Sequence, residues 1–169
     1  HSNYFVVLLF ASAANSLAAE GASHLSVGVK IALPPYAYKS KIHTIEKMIK
    51  STCHERKIEL LEVKGTRNPA IHFPMVTVTG IAEAAGDTLR SRSALEPGGE
   101  IVLTKWAGMD GMLQIVQERE LELKERFAPA FLNQILSYRE NLFAQREIGI
   151  ARAQGASAIY QIAEGGILA

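Results

Sequence analysis

The hydrophobic period of this chain switches from two to about 3.6 and back, and that switch limits the folds open to it. Over residues 26–33 (SVGVKIAL) Val27, Val29 and Ile31 alternate on one face, the pattern of a half-buried strand, and Pro34-Pro35 closes the run. Over residues 41–57 Ile42, Ile45, Met48, Ile49 and Cys53 recur at three- and four-residue intervals, which makes one buried face of an amphipathic helix. Two β-branched-rich runs follow, 58–63 and 75–81, separated by a polar loop with Gly65, Thr66, Arg67, Asn68 and Pro69. A strand, a helix and two further strands bury their apolar faces by packing the helix on a sheet, so the fold class expected is α+β or mixed α/β.

Residues 5–19, ahead of this unit, are rich in Ala and Leu and stop at Glu20-Gly21-Ala22, where Gly21 suits a helix terminus. The run from Tyr4 to Ala14 also resembles a secretory-signal core. It lacks a positive leading segment and is shorter than the ~20 residues of a membrane span, so a buried helix is the preferred reading and a secretory signal the lesser one. A first residue of His1 rather than Met fits a processed product or a fragment.

Residues 82–100 lose the period and contain Gly86, Ser91, Ser93, Pro97, Gly98 and Gly99, which places a domain boundary there. The expected organisation is a first domain over 1–86, a linker over 87–99 and a second domain over 100–169. In the second, residues 101–104 read as a short strand. Met112, Leu113, Val116 and Leu123 mark a helix, Phe131, Ile135, Tyr138 and Leu142 another, and a third passes Ile148 and Ala151 to Gly155. Residues 157–162 read as a strand leading into Glu164-Gly165-Gly166.

Composition narrows the chemistry. Hydrophobic residues make up 48% of the chain, enough for a real core, and eighteen Lys and Arg against seventeen Asp and Glu leave a net charge of +1. No basic run or aromatic-and-basic stripe of the kind that tracks a phosphate backbone is present, so nucleic acid is not expected as a partner. The apolar run at the start is too short to span a bilayer, and no membrane partner is expected. The single cysteine, Cys53, excludes an intrachain disulfide and a thiolate zinc cluster, and fits a reducing cytoplasm. Its place on the apolar helix face marks it as a small core residue rather than a catalytic thiol. The five histidines form no metal-binding pair at helical spacing, so no metal ligands are assigned.

The best local candidate for chemistry is the carboxyl end. Paired glycines between a strand and a helix start, as at Gly165-Gly166, bring backbone amides close to an anion. The segments Gly99-Glu100-Ile101-Val102-Leu103-Thr104-Lys105-Trp106-Ala107-Gly108, Ala151 to Ala158 and Glu164-Gly165-Gly166-Ile167 together resemble the second-domain opening of the AIR synthase-related proteins, a superfamily that includes the hydrogenase maturation factor HypE. The first half agrees. Ala14-Asn15-Ser16-Leu17-Ala18-Ala19-Glu20-Gly21-Ala22, then Leu33-Pro34-Pro35, resembles the family's Ala-Asn-Asp-Leu-Ala-x-x-Gly-Ala helix and following strand. Val76-Thr77-Val78-Thr79-Gly80-Ile81 resembles the next strand.

The resemblance implies an AIR synthase-like β-α-β-β portion followed by the start of the C-terminal α/β domain. It implies a relative of ATP-dependent enzymes that activate an amide or carboxyl oxygen, with ATP and Mg as cofactors. Nucleotide or phosphate contacts would fall to Glu164, Gly165, Gly166, Lys105, Gly108 and Asn15, and a homodimer would form through the first-domain strands. Val27, Val29, Ile31, Val76 and Val78 are then candidates for either core or dimer interface.

The departures are several. Ser16 stands where the family has its metal-nucleotide Asp. Glu62-Val63-Lys64-Gly65-Thr66 stands in place of Gly-Gly-His-Thr-Glu, and Tyr160, Gln161 and Ala163 replace His, Asp and Thr of the last loop. Holding a divalent cation against phosphates takes oxygen ligands, usually carboxylates, so the metal-nucleotide site is expected to be depleted. The alternative to an enzyme is a non-catalytic dimeric binding or regulatory relative.

Overall fold

The computed structural model describes residues 3–84, 97–162 and 165–168. The described residues form a mixed α+β fold with six helices and one three-stranded sheet. The first part runs α1 (Asn3–Ala19), β1 (Ala22–Leu33), α2 (Lys39–Arg56), β2 (Glu59–Arg67) and β3 (Met75–Ala84). The strand order is β2-β1-β3, with β1 parallel to β2 across the α2 crossover and antiparallel to β3.

The period-two face of β1 makes the core. Val27, Val29, Ile31 and Leu33 are buried against Val6 and Phe10 of α1 and Ile45, Ile49 and Cys53 of α2. Val76 and Val78 pack on the same cluster, so all five valines and isoleucines left open between core and interface face the chain's own interior. Both helices approach the sheet closely where a strand has glycine. A Cβ on Gly80 would sit 2.9 Å from Leu17 Cδ1 of α1, and one on Gly65 would collide with Ile42 of α2.

A bulge resets β2. Val27 pairs with Leu60 but Gly28 with Glu62, leaving Leu61 as the extra residue, turned outward and exposed. The shift lets Leu60 and Val63 both reach the core although two residues, Leu61 and Glu62, lie between them. The opposite sheet face exposes Lys30, Glu62, Lys64, Met75, Thr77, Thr79 and Ile81. The polar loop expected to start at Gly65 starts later, because Gly65, Thr66 and Arg67 continue the ladder opposite Ile31, Ala32 and Leu33.

The second part is helical: α3 (Met109–Glu118), α4 (Glu120–Arg126), α5 (Pro129–Ser137), a 3-10 turn (Tyr138–Leu142) and α6 (Gln145–Ala153). The helix expected through Met112 and Leu123 is broken at Arg119, whose φ of −110° and ψ of 25° lie outside the helical range. The strands expected over 101–104 and 157–162 do not form. A strand exists only by pairing its backbone, and these segments pair with none of the three described strands, so Ile101, Val102 and Leu103 stand exposed.

Helix α1 joins the parts. Tyr4 and Leu8 pack with Met109, Leu113 and Ile135, and the Tyr4 hydroxyl donates to the Asp110 carbonyl at 2.6 Å. Burial, helped by the Asp110 charge, pushes the Tyr4 phenol up to about 12. The apolar run once comparable to a signal core is an internal helix with Phe10, Ala11 and Ala14 buried. Most of the expected linker, residues 87–96, lies outside the described residues. No described helix is long and apolar enough to cross a membrane.

Candidate functional site

Two of the six residues singled out for nucleotide converge on one stretch, 142–147, and both are bound to protein groups there. Asn15 is 7% exposed on the inner side of α1. Its Nδ2 donates to the Leu142 carbonyl at 2.7 Å and its Oδ1 accepts from the Ala144 amide at 2.8 Å. The side-chain amide therefore satisfies the backbone between the 3-10 turn and α6, where neither helix supplies a partner.

Lys105 sits in the left-handed region with φ of 65°, unusual for a residue with a Cβ. This backbone aims its Nζ at Glu147 Oε1, 2.9 Å away, with both side chains largely covered. The bond from Lys105 holds the Glu147 carboxyl below its ordinary value. Partial burial works against that shift, and the residue's own backbone amide and the Lys105 and Arg146 charges add to it.

Gly108 has φ of 76° and turns the chain into α3, accepting from the Met112 amide at 3.0 Å. The first turn of α3 carries Asp110, which places a carboxylate where an anion would otherwise be drawn. Gly165 and Gly166 have φ of 96° and 78°, in the left-handed region that an L side chain resists, and lead into a 3-10 turn, Gly166–Leu168. Glu164 lies outside the described residues.

A third side chain grips the same stretch. The Arg56 guanidinium at the end of α2 lies 4.2 Å from the centre of the Phe143 ring and bonds the Glu140 carboxylate. Beside it opens a cleft of about 600 Å³ lined by His24, Glu55, Arg56, Lys57, Glu59 and Phe143 among others. Basic and acidic groups both line it, and Glu59 is engaged by the Ser26 hydroxyl at 2.6 Å. No motif announces this cleft, since Arg56 and Phe143 are brought together only by the packing of α2 on the second part.

Cys53 is buried, and burial pushes its thiol up to about 11, the state of an unreactive core residue. Among the described residues no group of three or more His, Cys, Asp and Glu is arranged to hold a metal ion. A scan of protein-family models and a search of curated proteins find no match to the chain.

Proposed function

We propose that this chain is an AIR synthase/HypE-like protein, related to ATP-dependent enzymes that activate an amide or carboxyl oxygen, in which the metal-nucleotide site is depleted and the fold serves as a dimeric binding or regulatory unit. The observation that carries this reading is the engagement of Asn15 and Lys105. Both side chains best suited to a nucleotide are already bonded to protein groups, at Leu142 and Ala144 and at Glu147. Ser16 beside Asn15 supplies no negative charge for a cation.

The dimer would use the sheet face turned away from the helices, where Met75, Thr77, Thr79 and Ile81 of β3 are exposed. Titration calorimetry of the folded protein with ATP and Mg tests the depleted site. The expected result is no magnesium-dependent heat and no ATP turnover. Measured turnover would overturn it, and a monomer in sedimentation at high protein concentration would remove the dimer.

A catalytic reading is favoured by one feature, the consecutive left-handed glycines Gly165 and Gly166, whose amides need no side chain to meet a phosphate. It predicts saturable heat with ATP and Mg that is lost in Gly165→Val.

A further inference from the structure

Two loops that are far apart in sequence meet at one end of the sheet. The β1–α2 loop carries Pro34-Pro35-Tyr36-Ala37-Tyr38, and the β2–β3 loop runs from Asn68 to Pro74. The Asn68 amide donates to the Leu33 carbonyl at 2.9 Å, and the Tyr36 hydroxyl donates to the His72 carbonyl at 2.6 Å. Tyr36, Tyr38 and Phe73 are nevertheless 74%, 83% and 79% exposed. Aromatic rings so exposed project from the surface instead of lining a concavity, and Met75 beside them is exposed too.

Charge is concentrated at the same end. Residues 21–45 and 63–82 contain no Asp or Glu, yet they hold Lys30, Lys39, Lys41, Lys64 and Arg67. The remaining chain carries thirteen basic against seventeen acidic residues, since the totals are eighteen and seventeen. Register sets Lys30 beside Lys64 on the open sheet face, and Lys39 and Lys41 are exposed in the first turn of α2, directly after Tyr38. Glu62 borders the patch and pairs with Lys64 at 2.7 Å, so that pair adds no net charge and the collar consists of Lys30, Lys39, Lys41 and Arg67.

We propose that this end, built from residues 34–41 and 67–74, is a peripheral docking surface for an anionic lipid membrane. Protruding Tyr and Phe side chains enter the headgroup layer, where amphipathic rings are stable, and the lysine and arginine collar draws the surface to negative lipid. A convex tip does not provide the groove that a peptide strand or a single-stranded nucleic acid needs. The contact is superficial, in keeping with the absence of a spanning helix among the described residues.

The test is co-sedimentation of the full chain with phosphatidylcholine vesicles made with or without phosphatidylserine. Binding is expected only with phosphatidylserine and is expected to weaken as salt rises. Lys39→Gln with Lys41→Gln removes two charges and should weaken binding about thirtyfold, at about 1 kcal/mol for each lysine. Tyr38→Ser with Phe73→Ser should weaken it about tenfold per ring, with far-UV circular dichroism unchanged because neither ring is in the core. No binding to phosphatidylserine vesicles, equal binding to both vesicle types, or unaltered binding by the folded variants overturns the proposal. So does loss of a lipid-free dimer in the Tyr38→Ser, Phe73→Ser protein, which assigns the face to a second copy of the chain.

Discussion

Replacing Asn15 separates a structural staple from a nucleotide ligand. Asn15→Ala removes one donor and one acceptor, leaving the Leu142 carbonyl and the Ala144 amide partly buried without their partners. An orphaned buried polar group costs about 1–3 kcal/mol, so the pair should cost about 3 kcal/mol. With a urea slope of about 2 kcal/mol/M for a domain of this size, the unfolding midpoint falls by about 1.5 M. Asn15→Asp is the sharper probe. The introduced carboxylate still accepts from Ala144 but cannot donate to Leu142, and it sets a negative charge against that carbonyl. Its deficit at pH 7 should equal or exceed that of the alanine variant. Burial against a carbonyl disfavours the charged form of such an acid, so the deficit should shrink as pH falls toward the ordinary carboxylate range, where the protonated acid can donate again. Urea unfolding followed by circular dichroism and by the single tryptophan, Trp106, which stacks edge-on to Tyr138 at 5.0 Å, reads both effects. A loss below about 0.5 kcal/mol in Asn15→Ala would refute the staple. Magnesium-dependent ATP binding gained in Asn15→Asp would show that the position faces a nucleotide instead.

Three further outcomes follow from the packing. Glu147→Gln should cost about 1 kcal/mol at neutral pH. The folded Glu147 carboxyl titrates below its ordinary value of 4.5, so its contribution is present above that value and is lost as pH falls through the lowered one; the wild-type advantage in thermal unfolding should therefore vanish in acid. Lys57 caps α2 in the left-handed region with φ of 55°, and Lys57→Gly should stabilise the protein by about 1 kcal/mol in urea unfolding; a destabilised variant would contradict that backbone conformation. Gly80→Val pushes α1 off β3 at Leu17 and Ala13 and should destabilise by about 2 kcal/mol, with Gly28→Ala, where a Cβ meets nothing within 4 Å, as a tolerated comparison.

The first half of the fold was legible because its signals are local. The alternation of Val27, Val29 and Ile31 and the helical spacing of Ile45, Ile49 and Cys53 each state which face is buried, and those faces meet in one core. The Leu61 bulge was not legible, since nothing in a run of Glu, Leu, Leu and Glu says which leucine is the extra one. The candidate site was legible only as residue types. Asn15 stands out only through the family resemblance of residues 14–22, and the carbonyl and amide it satisfies lie 127 and 129 residues away. Glu147, the partner that occupies Lys105, belongs to no motif.

The segments 101–104 and 157–162 show the remaining limit. Ile101-Val102-Leu103-Thr104 has the β-branched, apolar composition of a strand, and that composition records a preference to pack on a pleated, half-buried surface. It does not supply the surface. The described sheet pairs β1 on both sides and offers further backbone only at the outer edges of β2 and β3, with which neither segment pairs, and its core face is already filled by α1 and α2. Helices α3, α5 and α6 instead bury Leu113, Leu132 and Ile148 from the second part, each with its own backbone bonds made within the helix. A helix can thus form wherever one apolar stripe finds cover, whereas a strand also needs neighbouring backbone. That difference explains why the expected helices of the second part are present, although divided at Arg119 and Tyr138, and why its two expected strands are not.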